Sequence, residues 1–297
     1  MQQQRFASIR ERMVGETGVV MLIGPRDTGK TTLGRLLIAD ALDAGLRCAL
    51  VDADTARSSV GPPACVGLRF VSSSEDLDNV AQADALRFVG STHPRGVVLP
   101  HVVAVAALVA QARERAELIV VDTTSAVAGV VGQTLKYHLA ELAQPSVIIA
   151  LQRGTEMDAI VGMLRRFLSS RVAVLEPEVQ VVPAGPVQAA EELAAAFRRE
   201  LSPPLPRWRV QPTVFAPTLP DGFELEPLDG TIVGIQNSSG ECLGLGVLDH
   251  DGDTLRVATH HGESMSGLRV GSLKVDLTTF ATTRIRLREL FFGLSAS

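Results

Sequence analysis

The segment that most constrains this chain is GVVMLIGPRDTGKTT, residues 18–32. The apolar run at its start has the length of a buried strand, and the residues from Lys30 onward follow a helical period that ends near Gly45. Between them, residues 24–32 fit G-x-x-x-x-G-K-[ST], a loop whose backbone N–H groups point inward around phosphate. A strand, a glycine-rich turn and a helix in this order predict an α/β unit that holds phosphate at the start of a helix.

The loop itself supplies a set of candidate ligands. Gly24 and Gly29 allow the backbone to turn tightly. Lys30 is expected to reach the β- and γ-phosphates of a nucleotide, and the hydroxyl of Thr31 is expected to ligate Mg²⁺. The nucleotide-binding candidates within the motif are Gly24, Thr28, Gly29, Lys30, Thr31 and Thr32.

Residues 17–182 alternate apolar, strand-like runs with helix-like runs. Strands are predicted at 18–24, 47–54, 64–70, 85–91, 117–122, 146–152 and 171–176, and helices at 30–45, 97–115, 132–143 and 155–169. Continuous apolar strands that alternate with helices indicate a mostly parallel sheet covered on both faces. The predicted architecture is a three-layer α/β domain of the P-loop NTPase type.

The C-terminal part of the chain has a different character. A helix is predicted over 187–201, and six prolines between 202 and 222 then mark a linker. Short alternating runs separated by turn residues follow at about 230–280 and predict an antiparallel meander. We therefore predict a phosphate-loop domain over residues 1–205 and a small, mostly-β domain over residues 206–297.

Acidic residues end two of the predicted strands, where ligands bind in sheets of this type. Asp52 and Asp54 are two residues apart and project to the same side of an extended segment, where a carboxylate could act as a general base or help to hold Mg²⁺. Asp122 ends the strand ELIVVD and fits a Walker B carboxylate in the Mg²⁺ shell. Thr123 beside it could donate to a phosphate. Strand-end solvation or helix capping is the structural alternative for both strand ends.

Composition limits the class of protein. A net charge of −5 excludes a strongly basic nucleic-acid coat protein but leaves room for a local basic groove. The three cysteines show no CxxC spacing, which favours unpaired thiols in a reducing cytoplasm. The N-terminus lacks the apolar core of a signal peptide, and the longest apolar run, residues 97–110, is too short to span a bilayer. A cytoplasmic protein without membrane contact is expected.

Four motifs occur in a fixed order along the chain. They are GPRDTGKTT (24–32), DADTARSSVGPP (52–63), FVGSTHPRGVVLPHVV (88–103) and DTTSAVAGVVGQTLKYHLAELAQPSVIIALQR (122–153). Together they resemble the Clp1/Grc3 family of polynucleotide 5′-hydroxyl kinases, especially its short archaeal RNA kinases. The likeness covers about residues 18–183 and extends more faintly over residues 229–248.

The resemblance implies that the γ-phosphate of ATP is transferred, with Mg²⁺, to a 5′-hydroxyl of RNA or DNA. Asp54 is then implied as the base that activates the 5′-hydroxyl, and Lys30 and Thr31 keep the roles argued above. Thr123 matches the threonine of a short clasp that contacts the loop lysine and the phosphates. The implied catalytic set is Lys30, Asp54, Asp122 and Thr123, and the metal candidates are Thr31, Asp52 and Asp122.

Further residues are placed at the site by the same resemblance. Asp27 stands at the family's loop aspartate, and Gln152 and Arg153 end the strand that closes the nucleotide site. The substrate candidates lie on loops that follow strands at this edge of the sheet, because such loops line the site in α/β folds. They are Arg57, Thr92, His93 and Arg95.

The chain departs from the family pattern at several positions. The Gly-Gln pair of the family is replaced by Ala56 and Arg57, and the clasp glycine by Ser125. Ala189 and Ala194 fall near the family's lid arginines, and Arg198 and Arg199, further along the same helix, could substitute for them. An arginine at the γ-phosphate can contribute about 10³-fold or more in rate, so these departures bear directly on catalysis. Arg57 could replace the missing charge or bind a substrate phosphate through two hydrogen bonds.

The predicted function is a polynucleotide 5′-hydroxyl kinase that uses ATP, with GTP possible, and acts on single-stranded or end-exposed RNA or DNA. Two alternatives stay open: a P-loop ATPase or GTPase without kinase activity, and a nucleotide-bound, non-catalytic scaffold for RNA processing. A regulatory GTPase of the Ras type is disfavoured. The chain contains no NKxD, and DTTS has Ser125 where the DxxG switch requires glycine.

Overall fold

The computed structural model describes residues 6–79, 81–177, 185–216, 218, 226–252 and 254–286. The chain divides into two compact units. The first comprises Met1–Gly61, Val66–Ala85 and His93–Ala184, and the second comprises Pro62–Cys65, Leu86–Thr92 and Gly185–Ser297. Each unit buries a hydrophobic core of its own.

Seven strands of the described residues form one sheet. They are β1 (Gly18–Ile23), β2 (Cys48–Ala53), β3 (Cys65–Val71), β4 (Ala85–Phe88), β5 (Leu118–Thr123), β6 (Val147–Leu151) and β7 (Arg171–Leu175). Their order across the sheet is β4-β3-β2-β5-β1-β6-β7. Strands β2, β5, β1, β6 and β7 run parallel, and β3 pairs antiparallel with β2. The sheet is therefore mostly parallel, which confirms the predicted architecture.

Six of the described helices belong to the first unit. They are α1 (Ala7–Met13), α2 (Lys30–Asp43), α3 (Ser74–Asp78), α4 (Val98–Arg113), α5 (Gly129–Ala143) and α6 (Asp158–Phe167). Helices α2, α4, α5 and α6 follow the predicted ranges closely, whereas α1 and α3 are not predicted from the sequence. Both of the missed helices are short, with seven and five residues, so neither has the several turns over which a helical period becomes visible.

The core of the first unit explains the continuous apolar strands. Every residue of β2, β5 and β6 is buried, as expected for parallel strands covered on both faces. On one face, Val20 and Leu22 of β1 pack in a cluster with Leu33 and Leu37 of α2. Helices α4 and α5 contact the central strands as well. The carboxyl ends of β1, β2 and β5 meet at one edge, because their registers align Leu22 with Asp122 and Asp52 with Asp122.

The second unit contains an antiparallel sheet and one helix, α7 (Pro186–Glu200). Its strands are β8 (Arg207–Arg209), β9 (Thr231–Gln236), β10 (Cys242–Asp251), β11 (Thr254–Ala258), β12 (Gly267–Val275) and β13 (Thr282–Arg284), in the order β13-β12-β9-β10-β11-β8. This sheet confirms the predicted antiparallel strands, but the prediction of a simple meander was wrong, because β12 pairs with β9 and not with β11.

The two units divide at a different place from the predicted boundary at residue 205. Helix α7 belongs to the second unit because Phe197 and Leu201 pack into one cluster with Phe88 and Ile232. Proline content marks where α7 ends, but it carries no information about which core the helix joins.

No helix among the described residues is both long and apolar enough to cross a bilayer.

Candidate active site

The phosphate loop joins the end of β1 to the start of α2. Gly29 caps α2 with φ of +91°, a left-handed conformation that favours glycine. Gly24 has no room for a side chain, since a Cβ there would lie 2.5 Å from the carbonyl oxygen of Leu151. The left-handed backbone thus explains the glycine at position 29, and close packing explains the glycine at position 24.

Two side chains of the loop turn back onto its own backbone. Lys30 Nζ donates to the carbonyl oxygen of Pro25 at 2.9 Å, and Thr28 Oγ1 donates to the same oxygen at 3.0 Å. Lys30 is only 7% exposed. Burial lowers the pKa of Lys30, and the nearby carboxylates of Asp122 and Asp54 oppose that change. The loop therefore encloses an ammonium group that acidic neighbours stabilise in its charged form.

A cleft of about 240 Å³ lies beside the loop. Its lining consists of Arg26, Asp27, Thr28, Gly29, Lys30, Thr31, Thr32, Asp54, Arg57 and Ser125, all of the first unit. The structure therefore brings the phosphate loop together with one aspartate and one arginine that follow β2. Ser125, which replaces the family's clasp glycine, lies at the same cleft.

Asp27 in the loop is held by an arginine from the segment after β2. Its backbone is left-handed, with φ of +57°, which aspartate tolerates better than most residues. Arg57 Nη1 lies 2.8 Å from Asp27 Oδ1, and Arg26 Nε lies 3.6 Å from Oδ2. The cleft thus contains an ion pair in addition to Lys30. This contact explains the loop aspartate, which the sequence alone leaves without a partner.

Arg153 contacts the backbone of the phosphate loop. Its guanidinium donates to the carbonyl oxygen of Arg26 at 3.2 Å and to that of Asp27. Gln152 beside it donates to Asp158 Oδ1 at 3.1 Å. Neither Gln152 nor Arg153 lines the cleft, so the contact of Arg153 with the loop runs through the backbone.

Thr31 and Asp122 join the loop to the end of β5. Thr31 Oγ1 donates to Asp122 Oδ2 at 2.5 Å, while Asp122 Oδ1 is buried without a hydrogen-bond partner among the described residues. Burial raises the pKa of Asp122 to about 6, and Lys30 and the hydroxyl of Thr31 counteract this rise. A buried carboxylate oxygen without a partner, next to a hydroxyl, is a suitable arrangement for a hard cation that prefers oxygen ligands.

The aspartates at the end of β2 have different environments. Asp52 is 1% exposed and accepts hydrogen bonds from the backbone N–H groups of Asp54, Ser59 and Val60 and from the hydroxyl of Ser59. Burial raises the pKa of Asp52 to about 7, with a further contribution from Asp122. Asp52 therefore holds the segment after β2 in place and does not line the cleft.

Asp54, in contrast, does line the cleft. Its Oδ1 accepts from the backbone N–H groups of Ala56 and Arg57, both at 3.1 Å. This turn sets the orientation of the carboxylate and brings the backbone of Arg57, three residues later, into contact with it. Of the two candidates, Asp54 has the position that a group acting on a bound substrate requires.

Thr123 is fully buried and connects three elements. Its Oγ1 donates to the carbonyl oxygen of Leu22 in β1 at 2.7 Å and accepts from Lys136 Nζ of α5 at 2.8 Å. Because successive side chains of a strand point to opposite faces, Asp122 faces α2 and Thr123 faces α5. Thr123 therefore joins β1, β5 and α5 and is absent from the lining of the cleft.

Two buried residues at this edge of the sheet were missed by sequence reasoning. Lys136 is fully buried, and His101 Nε2 lies 2.9 Å from the carbonyl oxygen of Ala53, at the end of β2. Burial lowers the pKa of His101 to about 4, and the charge of Lys136 adds to this effect. The available signal for Lys136 was its place on the buried stripe of α5, with Leu135 and Leu139.

Other predicted site residues are absent from the lining of the cleft. His93 and Arg95 are exposed, and His93 Nδ1 accepts from the backbone N–H of Arg95 at 3.0 Å. Neither lines the cleft. Thr92 falls in the second unit.

The alanines at the expected lid positions lie on α7 of the second unit. Ala194 packs against the core cluster of that unit, and Ala189 is half-buried. Two residues of the last turn of α7 carry positive charge: Arg198 lies over the ring of Phe280 at 5.2 Å, and Arg199 is exposed. The basic residues of α7 therefore stand in its last turn, four or more residues after the two alanines in sequence.

Comparison with known proteins places this site in a family. A protein named polyribonucleotide 5′-hydroxyl-kinase from Methanocaldococcus jannaschii is 34% identical over 143 residues, which span 48% of this chain and 39% of that protein. The chain thus aligns with about two fifths of that relative's length. A protein of the same name from Pyrococcus furiosus is 22% identical over 98% of this chain and 91% of that protein.

A solved structure of Clp1p with Pcf11p has the same fold. The TM-score is 0.67 at 14% sequence identity, over 90% of this chain and 77% of that chain. The family model described as mRNA cleavage and polyadenylation factor CLP1 P-loop matches residues 24–198, from the first glycine of the phosphate loop to α7. This chain is therefore a member of the CLP1 P-loop family.

Proposed function

We propose that this protein is a polynucleotide 5′-hydroxyl kinase that transfers the γ-phosphate of a nucleoside triphosphate, ATP in the first place, to the 5′-hydroxyl of RNA or DNA. The observation that carries the proposal is the shared cleft of the phosphate loop and Asp54. A nucleotide hydrolase needs the loop and a positioned water, whereas a kinase also needs a base for its acceptor. The names of the archaeal relatives, polyribonucleotide 5′-hydroxyl-kinase, support the same reaction.

Lys30 and the backbone of the phosphate loop are proposed to bind the polyphosphate of the donor. The N-terminus of α2 adds partial positive charge under the phosphates. Arg57, held by Asp27, supplies a further cation in the cleft at a position where the family has glutamine. In this proposal Arg57 replaces the charge of the absent lid arginines, since the transition state spreads negative charge over the γ-phosphate oxygens.

The residues present fit a divalent cation. Thr31 Oγ1 and the unpartnered Asp122 Oδ1 are oxygen ligands of the kind that Mg²⁺ prefers. No group of three or more His, Cys, Asp or Glu side chains among the described residues is arranged to hold a metal ion. Mg²⁺ would therefore share its coordination with substrate phosphates and water, as it commonly does. When bound, it neutralises charge that develops on the β- and γ-phosphates.

Asp54 is proposed as the general base. Its Oδ1 is committed to two backbone N–H groups, so that the carboxylate is held in one orientation towards the cleft. A proton from the acceptor 5′-hydroxyl would pass to this carboxylate as the oxygen attacks the γ-phosphorus, while the bond from that phosphorus to the β–γ bridging oxygen breaks and the nucleoside diphosphate leaves. General-base catalysis of this type contributes about 10²- to 10⁴-fold in rate.

The test is label transfer from [γ-³²P]ATP, and from the corresponding GTP, to 5′-hydroxyl RNA and DNA oligonucleotides. Asp54→Asn keeps the Oδ1 acceptor and the turn but removes the basic carboxylate, so we expect transfer to fall about 10²-fold or more while nucleotide affinity is retained. Asp78→Asn, an exposed carboxylate at the end of α3, is the matched control and should transfer label like the wild type.

Two results would contradict the proposal. Absence of label transfer by the wild type to every acceptor, with phosphate release that ignores the oligonucleotide, would identify an ATPase or GTPase. Nucleotide binding without turnover of any kind would instead favour a non-catalytic scaffold.

A further inference from the structure

Lys136 is a fully buried lysine whose ammonium group donates hydrogen bonds to three uncharged oxygens. Its Nζ lies 2.8 Å from Thr123 Oγ1, 2.6 Å from the carbonyl oxygen of Thr124 and 3.2 Å from Thr124 Oγ1. An ammonium group has three N–H donors and no acceptor, so the three oxygens match it in number. No carboxylate lies within ion-pair distance of Lys136 among the described residues.

The identity of this residue is informative because the chain hardly uses lysine. Of 28 basic residues only three are lysines, Lys30, Lys136 and Lys274, and the rest are arginines. One of the three, Lys30, lines the cleft, and Lys136 contacts Thr123 and Thr124, which precede the cleft residue Ser125 in the chain. Lysine offers a compact ammonium group where the planar guanidinium of arginine could not satisfy the same three oxygens.

Packing alone does not explain a lysine here. Burial of a cation without a paired carboxylate is costly, and a neutral side chain of similar volume is often as stable or more stable at such a position. The titratable groups that interact electrostatically with Lys136 lie in or beside the candidate active site. They are Lys30 on α2, Asp54 after β2, Asp122 on β5 and the titratable His101 on α4.

The contacts of Lys136 also lead to the phosphate loop. From Nζ the hydrogen bonds continue through Thr123 Oγ1 to the carbonyl oxygen of Leu22, the last residue but one of β1 before the loop. The second contact of Nζ is with Thr124, which immediately precedes Ser125 in the chain. Ser125 lines the cleft. Lys136 thus connects α5 to the end of β5 and, through Thr123, to the end of β1, the strand that leads into the phosphate loop.

We propose that Lys136 is a positioning residue for the polyphosphate of the donor: it holds the end of β5 against the phosphate loop and provides a second buried positive charge beneath the bound phosphates. The inference rests on the proposed function in so far as a nucleotide polyphosphate is the ligand. The charge that is costly in the free protein is stabilised when the negative phosphates occupy the cleft, because electrostatic interactions are strong in a buried site.

Burial also supports a coupling between ligand binding and protonation. It lowers the pKa of Lys136 to about 7, an effect to which Lys30 adds and which Asp54 and Asp122 oppose. A polyphosphate in the cleft adds negative charge and raises the pKa of the same amine. At pH 8, binding should therefore be accompanied by proton uptake at Lys136.

The experiment compares wild type, Lys136→Met and Lys136→Gln with AMP, ADP and ATP as the probes, each with Mg²⁺. Both variants remove the charge, and the glutamine keeps some hydrogen bonding to the threonines. Lys274→Met makes the same substitution in the second unit and serves as the matched control. We expect the loss of affinity to grow from AMP to ADP to ATP and to reach about tenfold or more for ATP in both variants. The control should bind all three like the wild type.

Calorimetry of ATP binding at pH 8 in two buffers of different ionisation enthalpy supplies the second measurement. The wild type and Lys274→Met should take up a larger fraction of a proton than either Lys136 variant. Equal loss of affinity for the three nucleotides, together with unchanged proton uptake, would reduce Lys136 to a structural residue. Unchanged ATP affinity in both variants would overturn the inference while leaving the kinase proposal intact, whereas a wild type that binds no nucleotide would overturn both.

Discussion

Arg57 and Asp27 form an ion pair inside the candidate phosphate cleft, with Nη1 2.8 Å from Oδ1. The pair joins the phosphate loop to the segment that carries Asp54. The same contact is a hydrogen bond donated by Nη1, so that the guanidinium is oriented by the loop. In the cleft, Arg57 attracts an anionic ligand, whereas Asp27 repels it.

We expect the two partners to change ATP affinity in opposite directions. Arg57→Met removes a positive charge from the cleft, so the Kd for ATP should rise about tenfold and phosphoryl transfer should fall further. Asp27→Asn removes a negative charge, and asparagine also tolerates the left-handed backbone, so the Kd should fall a few-fold. Equilibrium binding of both variants checks this prediction, and a shift of both in the same direction would show that the pair acts only as a brace.

The contact of Thr31 with Asp122 predicts a specific loss of metal dependence. Thr31→Val removes the hydroxyl while keeping the branched shape, so Mg²⁺ should no longer increase ATP affinity, and transfer should fall about 10²-fold or more. Titration with Mg²⁺ at fixed ATP measures the effect. Thr17→Val, at an exposed position before β1, should retain the wild-type Mg²⁺ dependence. An unchanged Mg²⁺ response in Thr31→Val would exclude Thr31 as a ligand.

Two helical glycines of the first unit should respond oppositely to alanine. A Cβ at Gly162 of α6 meets nothing within 4 Å, so Gly162→Ala should raise the free energy of unfolding by about 0.5–1 kcal/mol. A Cβ at Gly132 of α5 would lie 2.6 Å from the carbonyl carbon of Val127, so Gly132→Ala should lower it by about 1–3 kcal/mol. Denaturant unfolding of both variants gives the comparison, and equal signs would contradict the packing described for α5.

The buried amine of Lys136 predicts a pH dependence of stability. Its pKa is lowered from 10.5 in the unfolded chain to about 7 in the folded protein, so the unfolded state binds more protons between these values and this group favours folding as pH rises. Lys136→Met has no amine to titrate. Because this substitution removes the cost of burying the charge, it should raise the melting temperature relative to the wild type. The increase should be greatest at pH 7 and below and should shrink towards pH 10. A difference that stays constant over pH 7–10 would contradict a depressed pKa.

Sequence patterns predicted the central sheet well because its strands are mostly apolar and its main helices carry a clear period. The exceptions have local causes. Helices α1 and α3 are shorter than a detectable period, and the direction of β3 depends on pairing with β2, which no local pattern reports. The position of α7 was predicted, but its membership of the second unit depends on where Phe197 packs.

The candidate site divides in the same way. The motif alone placed Lys30 and Thr31 at a phosphate loop, because strand, turn and helix are contiguous in the chain. Residue type and position could not distinguish Asp52 from Asp54, since both end the same predicted strand with the same chemistry, and only the family resemblance singled out Asp54 as the base. The structure adds a physical difference: hydrogen bonds from Ser59 and Val60 occupy Asp52, whereas Asp54 lines the cleft.

By itself the sequence determined that a phosphate loop lies between a buried strand and a helix, with acidic residues at the ends of neighbouring strands. Only the tertiary structure decided which groups complete the site. Arg57 reaches Asp27 across 30 residues, and Lys136 lies 13 residues from Thr123 on a different element. Such partners are chosen by how the helices pack on the sheet and by which buried polar groups need hydrogen bonds, and neither condition leaves a local pattern in the chain.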